Sequence, residues 1–177
     1  MEMVATIRQS SVVASQRQKQ LEDEMANANL LQHSQHRSGH QQLTEDALRA
    51  RLDNIGAQVG ASLVEKLSKD RQRFTDTLDS VKFICKDIWM AVWDKQVDNL
   101  RTNHRGVYVL QDNAFRPLMR ISSPEGGADA LAKAKIYLAF HAGVLRGALA
   151  RLGLQGTVTP EVTSLPQCIF QIKLPRV

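Results

Sequence analysis

Residues 74–100 constrain the fold more than any other stretch of the chain. Phe74, Leu78, Val81, Cys85, Ile88 and Val92 recur at steps of three and four, the spacing that puts apolar side chains on one face of a helix. Ile84, Trp89, Trp93, Val97 and Leu100 widen that stripe. A helix apolar around so much of its circumference has to be covered on more than one side. The pattern therefore predicts a helix over 74–100 at the centre of the core, with Asp76, Asp79, Lys86, Asp87, Lys95 and Asp98 on a narrow solvent strip. Residues 101–104 form its polar exit and Gly106 ends it.

The flanking segments predict what covers this helix. Leu48, Leu52, Ile55, Val59, Leu63 and Leu67 give a second amphipathic helix of about five turns. Thr44 is its expected N-cap, with Glu45 and Asp46 in the first turn. Gly56 and Gly60 cost that helix about 1 kcal/mol each against alanine, so a close backbone approach is expected there. A crossing within the chain and a groove facing a partner both satisfy that requirement. After Gly106, Val107-Tyr108-Val109-Leu110 reads as a strand, followed by a turn at 111–113. A returning strand is expected at 115–121, where Pro117 marks an edge or bulge. A helix capped by Asp129 runs to about residue 152, stopped by Gly153, and two strands are expected at 157–164 and 168–174. Helices first and antiparallel strands later predict an α+β fold, with the helices on one face of a sheet.

The chain's 177 residues suit one domain with an extension, and 43% hydrophobic residues can form a core. No apolar run approaches the roughly 18–20 residues of a membrane span, and the start, MEMVATIRQSSVV, lacks a secretory h-region. A cytoplasmic setting follows, and Cys85 and Cys168 are expected as reduced, buried thiols. Residues 1–43 divide into a short apolar phrase at 1–7 and a Gln/Ser/His-rich flexible segment at 8–42; the folded domain is expected over 44–177. The net charge of +5 is concentrated in Lys66, Lys69, Arg71 and Arg73 and in six basic residues beyond Ala130, against one acid there, Glu161. These read as solvated faces, with an anionic membrane surface as the alternative. No aromatic residue interleaves with them, which argues against nucleic acid.

Chemistry is sparse. His33, His36 and His40 have a metal-like spacing, but Gly39 and the Ser/Gln surroundings offer no rigid helix and nothing to orient the rings. They read as linker, so no metal site is expected. Gly143-x-x-x-Gly147 lacks the residues of a phosphate-binding loop. Cys85 and Cys168 sit among apolar residues without an activating base, and His104 and His141 stand apart from any nucleophile. No catalytic residue and no cofactor are expected.

Four phrases together resemble a known family. They are 82–89 (KFICKDIW), 100–113 (LRTNHRGVYVLQDN), 143–149 (GVLRGAL) with Leu152-Gly153, and 166–172 (PQCIFQI). The chain is similar to the small core subunits of TRAPP, the transport protein particle, of the component-six or Trs-thirty-three type within the Bet-three superfamily. The resemblance implies helices packed on one side of a four-stranded antiparallel sheet. It implies a non-enzymatic scaffold of a vesicle tether and Rab guanine-nucleotide exchange complex, acting between the endoplasmic reticulum and Golgi and within the Golgi. It also implies a heterodimer with a Bet-three-type subunit, other complex subunits as further partners, and at most peripheral membrane contact. On that basis Leu52, Ile55, Gly56, Val59, Gly60 and Leu63 are the expected partner interface. On the same resemblance, the family's first helix is expected to be truncated here, at residues 1–7. The acylated cysteine of the Bet-three paralogue has no counterpart in residues 69–73, so no acylation is expected there. An apolar pocket for a small molecule or acyl chain is the alternative function.

Overall fold

The computed structural model describes residues 17, 20, 42–103 and 105–175. The phrase at residues 1–7, the three histidines at 33, 36 and 40, and His104 lie outside the described residues. The chain forms two compact units, Met1–Glu45 and Asp46–Val177, and the architecture below is that of the second.

Helix α1 spans 42–68. Thr44 is therefore already inside the helix rather than capping it, because residues 42 and 43 are helical as well. The central apolar stretch is shorter than its periodicity predicts. It comprises α2 (Thr77–Phe83), a π-helical turn (Ile84–Ile88) and α3 (Trp89–Trp93). Asp76 caps it, its side chain accepting from the Asp79 amide at 2.6 Å. Asp94 ends it in the left-handed conformation, φ 54°, a geometry that Asp tolerates better than most residues. Beyond that reversal the chain cannot stay helical, although Val97 and Leu100 continue the spacing. The Val97 amide turns back to the Cys85 carbonyl at 3.1 Å. Leu100 belongs instead to strand β1 (Asn99–Thr102).

The polar exit is thus a hairpin. Strand β1 pairs antiparallel with β2 (Val107–Asp112), Leu100 opposite Leu110. The Asn103 side chain closes the turn by accepting from the amides of Arg105 at 2.9 Å and Val107 at 3.2 Å, an Asx-type turn. The strand expected at 115–121 is absent; a 3₁₀ turn (Arg116–Leu118) stands there. Both edges of β2 are already taken, by β1 and β4, so this segment cannot pair back on the strand it follows. Pro117 also has no amide to contribute. Phe115 and Leu118 are buried all the same.

Helix α4 (Gly127–Arg151) has Gly126 at its N-cap, so Asp129 does not cap it. Asp129 lies in the first turn, bonded to Ser123 and paired with Lys133 at 2.7 Å. Gly153, at φ 81°, stops the helix as expected. The last strands are β3 (Thr157–Glu161) and β4 (Cys168–Lys173). The four-stranded sheet runs β1-β2-β4-β3, antiparallel throughout. Tyr108, Leu110, Asp112, Cys168, Phe170 and Ile172 are buried on one face, where the helices lie. Val107, Val109, Ile169 and Gln171 alternate with them and are half-exposed. This is the expected α+β fold: among the described residues, α1, the α2–α3 segment and α4 lie on one side of an open four-stranded antiparallel sheet.

The core is aromatic and, among the described residues, contains one buried carboxylate, Asp112. Trp89 lies 5.6 Å from Phe170 between ring centroids and 4.2 Å from Trp93. Its indole Nε1 donates to Asp112 at 3.0 Å. Asp112 is fully buried. It also accepts from the Ala114 amide at 3.0 Å and from Lys95 Nζ at 2.6 Å, which satisfies a charge that would otherwise be costly to desolvate. Burial works against the Lys95 ammonium, but hydrogen bonds and charges from Asp112 and Asp98 outweigh it and raise its pKa.

A candidate partner-binding face on helix α1

The α1–α4 crossing decides which side of α1 is free. Gly56 and Gly60 are buried. A Cβ at Gly56 would overlap the Phe140 carbonyl oxygen, and one at Gly60 the Val144 carbonyl oxygen. The arrangement is reciprocal: a Cβ at Gly143 would overlap the carbonyl of Asp53, and one at Gly147 that of Ala57. Two glycine pairs spaced by four residues, one on each helix, bring the backbones together. Arg146 fixes the register by reaching Asp53 through Nε at 3.0 Å and Nη2 at 2.5 Å.

The six residues singled out by the resemblance therefore divide. Gly56 and Gly60 face α4, within the chain. Ile55 and Val59 are exposed, at 53% and 37%, as is Leu48 at 46%. Leu52 and Leu63 are half-buried beside them. At about 100° per residue, Leu48, Leu52, Ile55, Val59 and Leu63 form one stripe next to the glycine face. Sequence reasoning missed Leu48 as part of the exposed stripe, although it sits in the same period.

Among the described residues, the remaining candidate groups, Cys85, Cys168 and His141, have no reactive setting. Burial pushes the Cys85 thiol up to about 12. Cys168 is raised as well, first by burial and then by the Asp112 charge. Neither gives appreciable thiolate at neutral pH. His141 sits among Trp93, Phe115 and Phe140, and its Nδ1 accepts from Trp93 Nε1 at 3.1 Å. Burial holds its pKa down at about 4. Among the described residues, no group of three His, Cys, Asp or Glu side chains is placed to hold a metal ion.

The depressed His141 pKa gives a pH prediction with a definite sign. Above the ordinary value of 6.5, the imidazole is neutral in both folded and unfolded chains. As pH falls from there towards 4, the unfolded chain takes up a proton that the fold refuses, so stability falls. The loss is expected to approach about 3 kcal/mol across that window. Urea titrations at about pH 7 and pH 5 check it, and His141→Gln should show a shallower acid decline.

Two open clefts flank the α1–α4 crossing. One, of about 620 Å³, is lined by Asn54, Ala57, Gln58, Ala61, Arg146 and neighbouring α4 residues. The other, of about 890 Å³, lies at the shared end of the two helices and includes Arg71, Arg73 and Arg151. Arg71 and Arg73 were visible as a basic group in the sequence. Folding adds Arg151 from the far end of α4, which no local spacing signals.

Comparison with known proteins agrees with this architecture. A trafficking protein particle complex subunit 3 from Naegleria fowleri, solved covalently bound to palmitic acid, superposes with a TM-score of 0.61 over 85% of this chain and 96% of that one. At 18% identity it speaks for the fold alone. Human trafficking protein particle complex subunit 6B is 52% identical over 124 residues, covering 70% of this chain and 77% of that protein. Human subunit 6A is 47% identical over 125 residues, 71% and 77% of the two chains. Among the described residues no helix is long and apolar enough to cross a membrane. The family model for the transport protein particle component matches residues 1–175, and with these relatives it places the chain in the TRAPP component family, whose members are subunits of a vesicle-trafficking complex.

Proposed function

We propose that this chain is a non-enzymatic scaffold subunit of a TRAPP tethering and Rab guanine-nucleotide exchange complex, and that it pairs with a Bet-three-type subunit through the exposed stripe of α1. The observation that carries this reading is the division of α1 into two faces. One face is locked against α4 by glycines, while Leu48, Ile55 and Val59 remain in water on the same helix. Exposed apolar residues in a row on one helix are the usual form of a helical interface. In this reading Gly56 and Gly60 act indirectly, by holding α1 at a fixed depth so that Leu52, Ile55, Val59 and Leu63 present one surface. Membership of the family supports assembly with other TRAPP subunits. The four-phrase resemblance to the component-six type supports a peripheral, cytoplasmic location at the Golgi and endoplasmic reticulum.

Val59→Asp tests the interface. A charge placed at the centre of a desolvated helical contact costs about 2 kcal/mol or more, roughly a 30-fold loss of affinity. The partly exposed position should leave the melting temperature of the isolated chain nearly unchanged. Co-expression with a Bet-three-type subunit followed by affinity capture reads the result. Undiminished recovery of the partner by the Val59→Asp variant would remove α1 from the contact.

A further inference from the structure

We propose that the cleft at the shared end of α1 and α4 binds a polyphosphorylated anion through Arg71, Arg73 and Arg151. Its lining includes the apolar Val64, Phe74 and Leu152, and Glu65 is the one carboxylate in it. Two of the three guanidiniums are already held in place. Arg71 is 3.2 Å from Asp87 and its guanidinium carbon is 5.0 Å from the centre of the Phe83 ring. Arg151 pairs with Glu65 at 2.8 Å. Arg73 has no hydrogen-bond or ion-pair partner among the described residues. Lys66 and Lys69 belong to the same segment.

Opposing charges set the kind of ligand. Helix C-termini carry about half a negative charge each, and both α1 and α4 end here. Backbone amides cap those carbonyls: Arg71 N to Ser68 O at 3.1 Å, Leu152 N to Ala148 O at 3.1 Å and Leu154 N to Leu149 O at 2.9 Å. The Arg71 and Arg151 side chains are 46% and 55% exposed, so one phosphate on one arginine would gain little. A ligand bearing two or three phosphates engages several planar forks at once, which is where arginine outperforms lysine. The matching chemistry is an inositol polyphosphate, either free in solution or as the headgroup of a phosphoinositide in a membrane.

The cleft is independent of the partner face. At about 100° per residue, Val64, Glu65 and Ser68 lie across α1 from Leu52, Ile55 and Val59. A subunit docked on the stripe leaves the arginines open, so failure of either reading is separable from the other.

Titration of the full chain with inositol 1,4,5-trisphosphate at low salt is the test. Saturable binding that weakens with added salt is expected, together with a loss of tenfold or more in Arg73→Glu and Arg151→Glu. Arg120→Glu makes the same charge change at an exposed site outside the cleft and should leave binding intact. Pelleting with phosphatidylcholine vesicles containing phosphatidylinositol 4,5-bisphosphate separates the two sources. Pelleting lost in Arg73→Glu assigns a membrane headgroup; trisphosphate binding without pelleting assigns a soluble ligand. Absence of trisphosphate binding, equal losses in Arg120→Glu, or pelleting that survives Arg73→Glu overturns the proposal. Thermal melts of each variant separate unfolding from loss of the ligand.

Discussion

Replacing Gly60 with valine is expected to lower the melting temperature by roughly 10 °C or more. A Cβ at this position overlaps the Val144 carbonyl oxygen and comes within 2.8 Å of its carbon and 3.0 Å of the Ala148 amide nitrogen. These are backbone atoms of α4 and cannot turn aside as a side-chain end could. The helices must separate, and Val64 loses contact with the core as they do. Overpacking of this kind costs about 1–3 kcal/mol for a small addition, and a branched side chain should exceed about 4 kcal/mol. Each kcal/mol corresponds to about 2–4 °C at this chain length. The alanine variant is the more discriminating case. Helix propensity alone would make Gly60→Ala stabilising by about 1 kcal/mol, whereas the crossing makes it destabilising. A melting temperature that rises on Gly60→Ala would show that the two backbones do not meet here. Gly147→Ala, on the other helix, should behave the same way, because its Cβ meets Ala57.

The second large effect is expected at Asp112. Asp112→Ala removes the acceptor of the Trp89 indole, of the Ala114 amide and of Lys95 Nζ. The Lys95 side chain is only 20% exposed; it keeps Asp98 as a partner but loses the nearer carboxylate. Breaking one side of a buried pair costs about 3–5 kcal/mol, which is roughly a 10 °C drop in melting temperature. Removing both charges should cost less than removing one. Asp112→Leu combined with Lys95→Met is expected to recover part of the loss, with the unpaired indole accounting for most of what remains. A double mutant no more stable than Asp112→Ala would show that the charge pair is not what Asp112 supports.

The helical periods were legible because burial writes them directly: α1 and α4 follow their apolar spacing, and the two cysteines are buried as their neighbours imply. The end of the central helix was not legible. Val97 and Leu100 keep the helical interval, yet one left-handed residue, Asp94, redirects the chain, and Leu100 satisfies a strand facing the same core. The segment at 115–121 shows the complementary failure. Its apolar residues Phe115 and Leu118 are buried, but sheet membership depends on whether an edge is free, and β4 takes that edge from residues far along the chain. The glycines carry the same lesson for the site. Gly56 and Gly60 announced a close approach, whereas Gly143 and Gly147 stood out only as a failed phosphate loop. Folding alone shows that each pair is the other's partner, leaving Ile55 and Val59 as the exposed part of the expected interface. Asn103, prominent in the phrase that carries the resemblance, proves to be the lock of the β1–β2 hairpin.

The strand order has a consequence in time. In β1-β2-β4-β3, the strand made last lies in the interior of the sheet, between β2 and β3. Until Cys168–Lys173 has left the ribosome, β2 and β3 each present an unsatisfied ladder, an invitation to pairing with other chains. Helix α1, by contrast, is synthesised early and carries its apolar stripe throughout. The exposed stripe of α1 therefore exists before the sheet that supports the helix can close. Closure of the sheet is thereby tied to synthesis of β4, and until then those edges are open to aggregation.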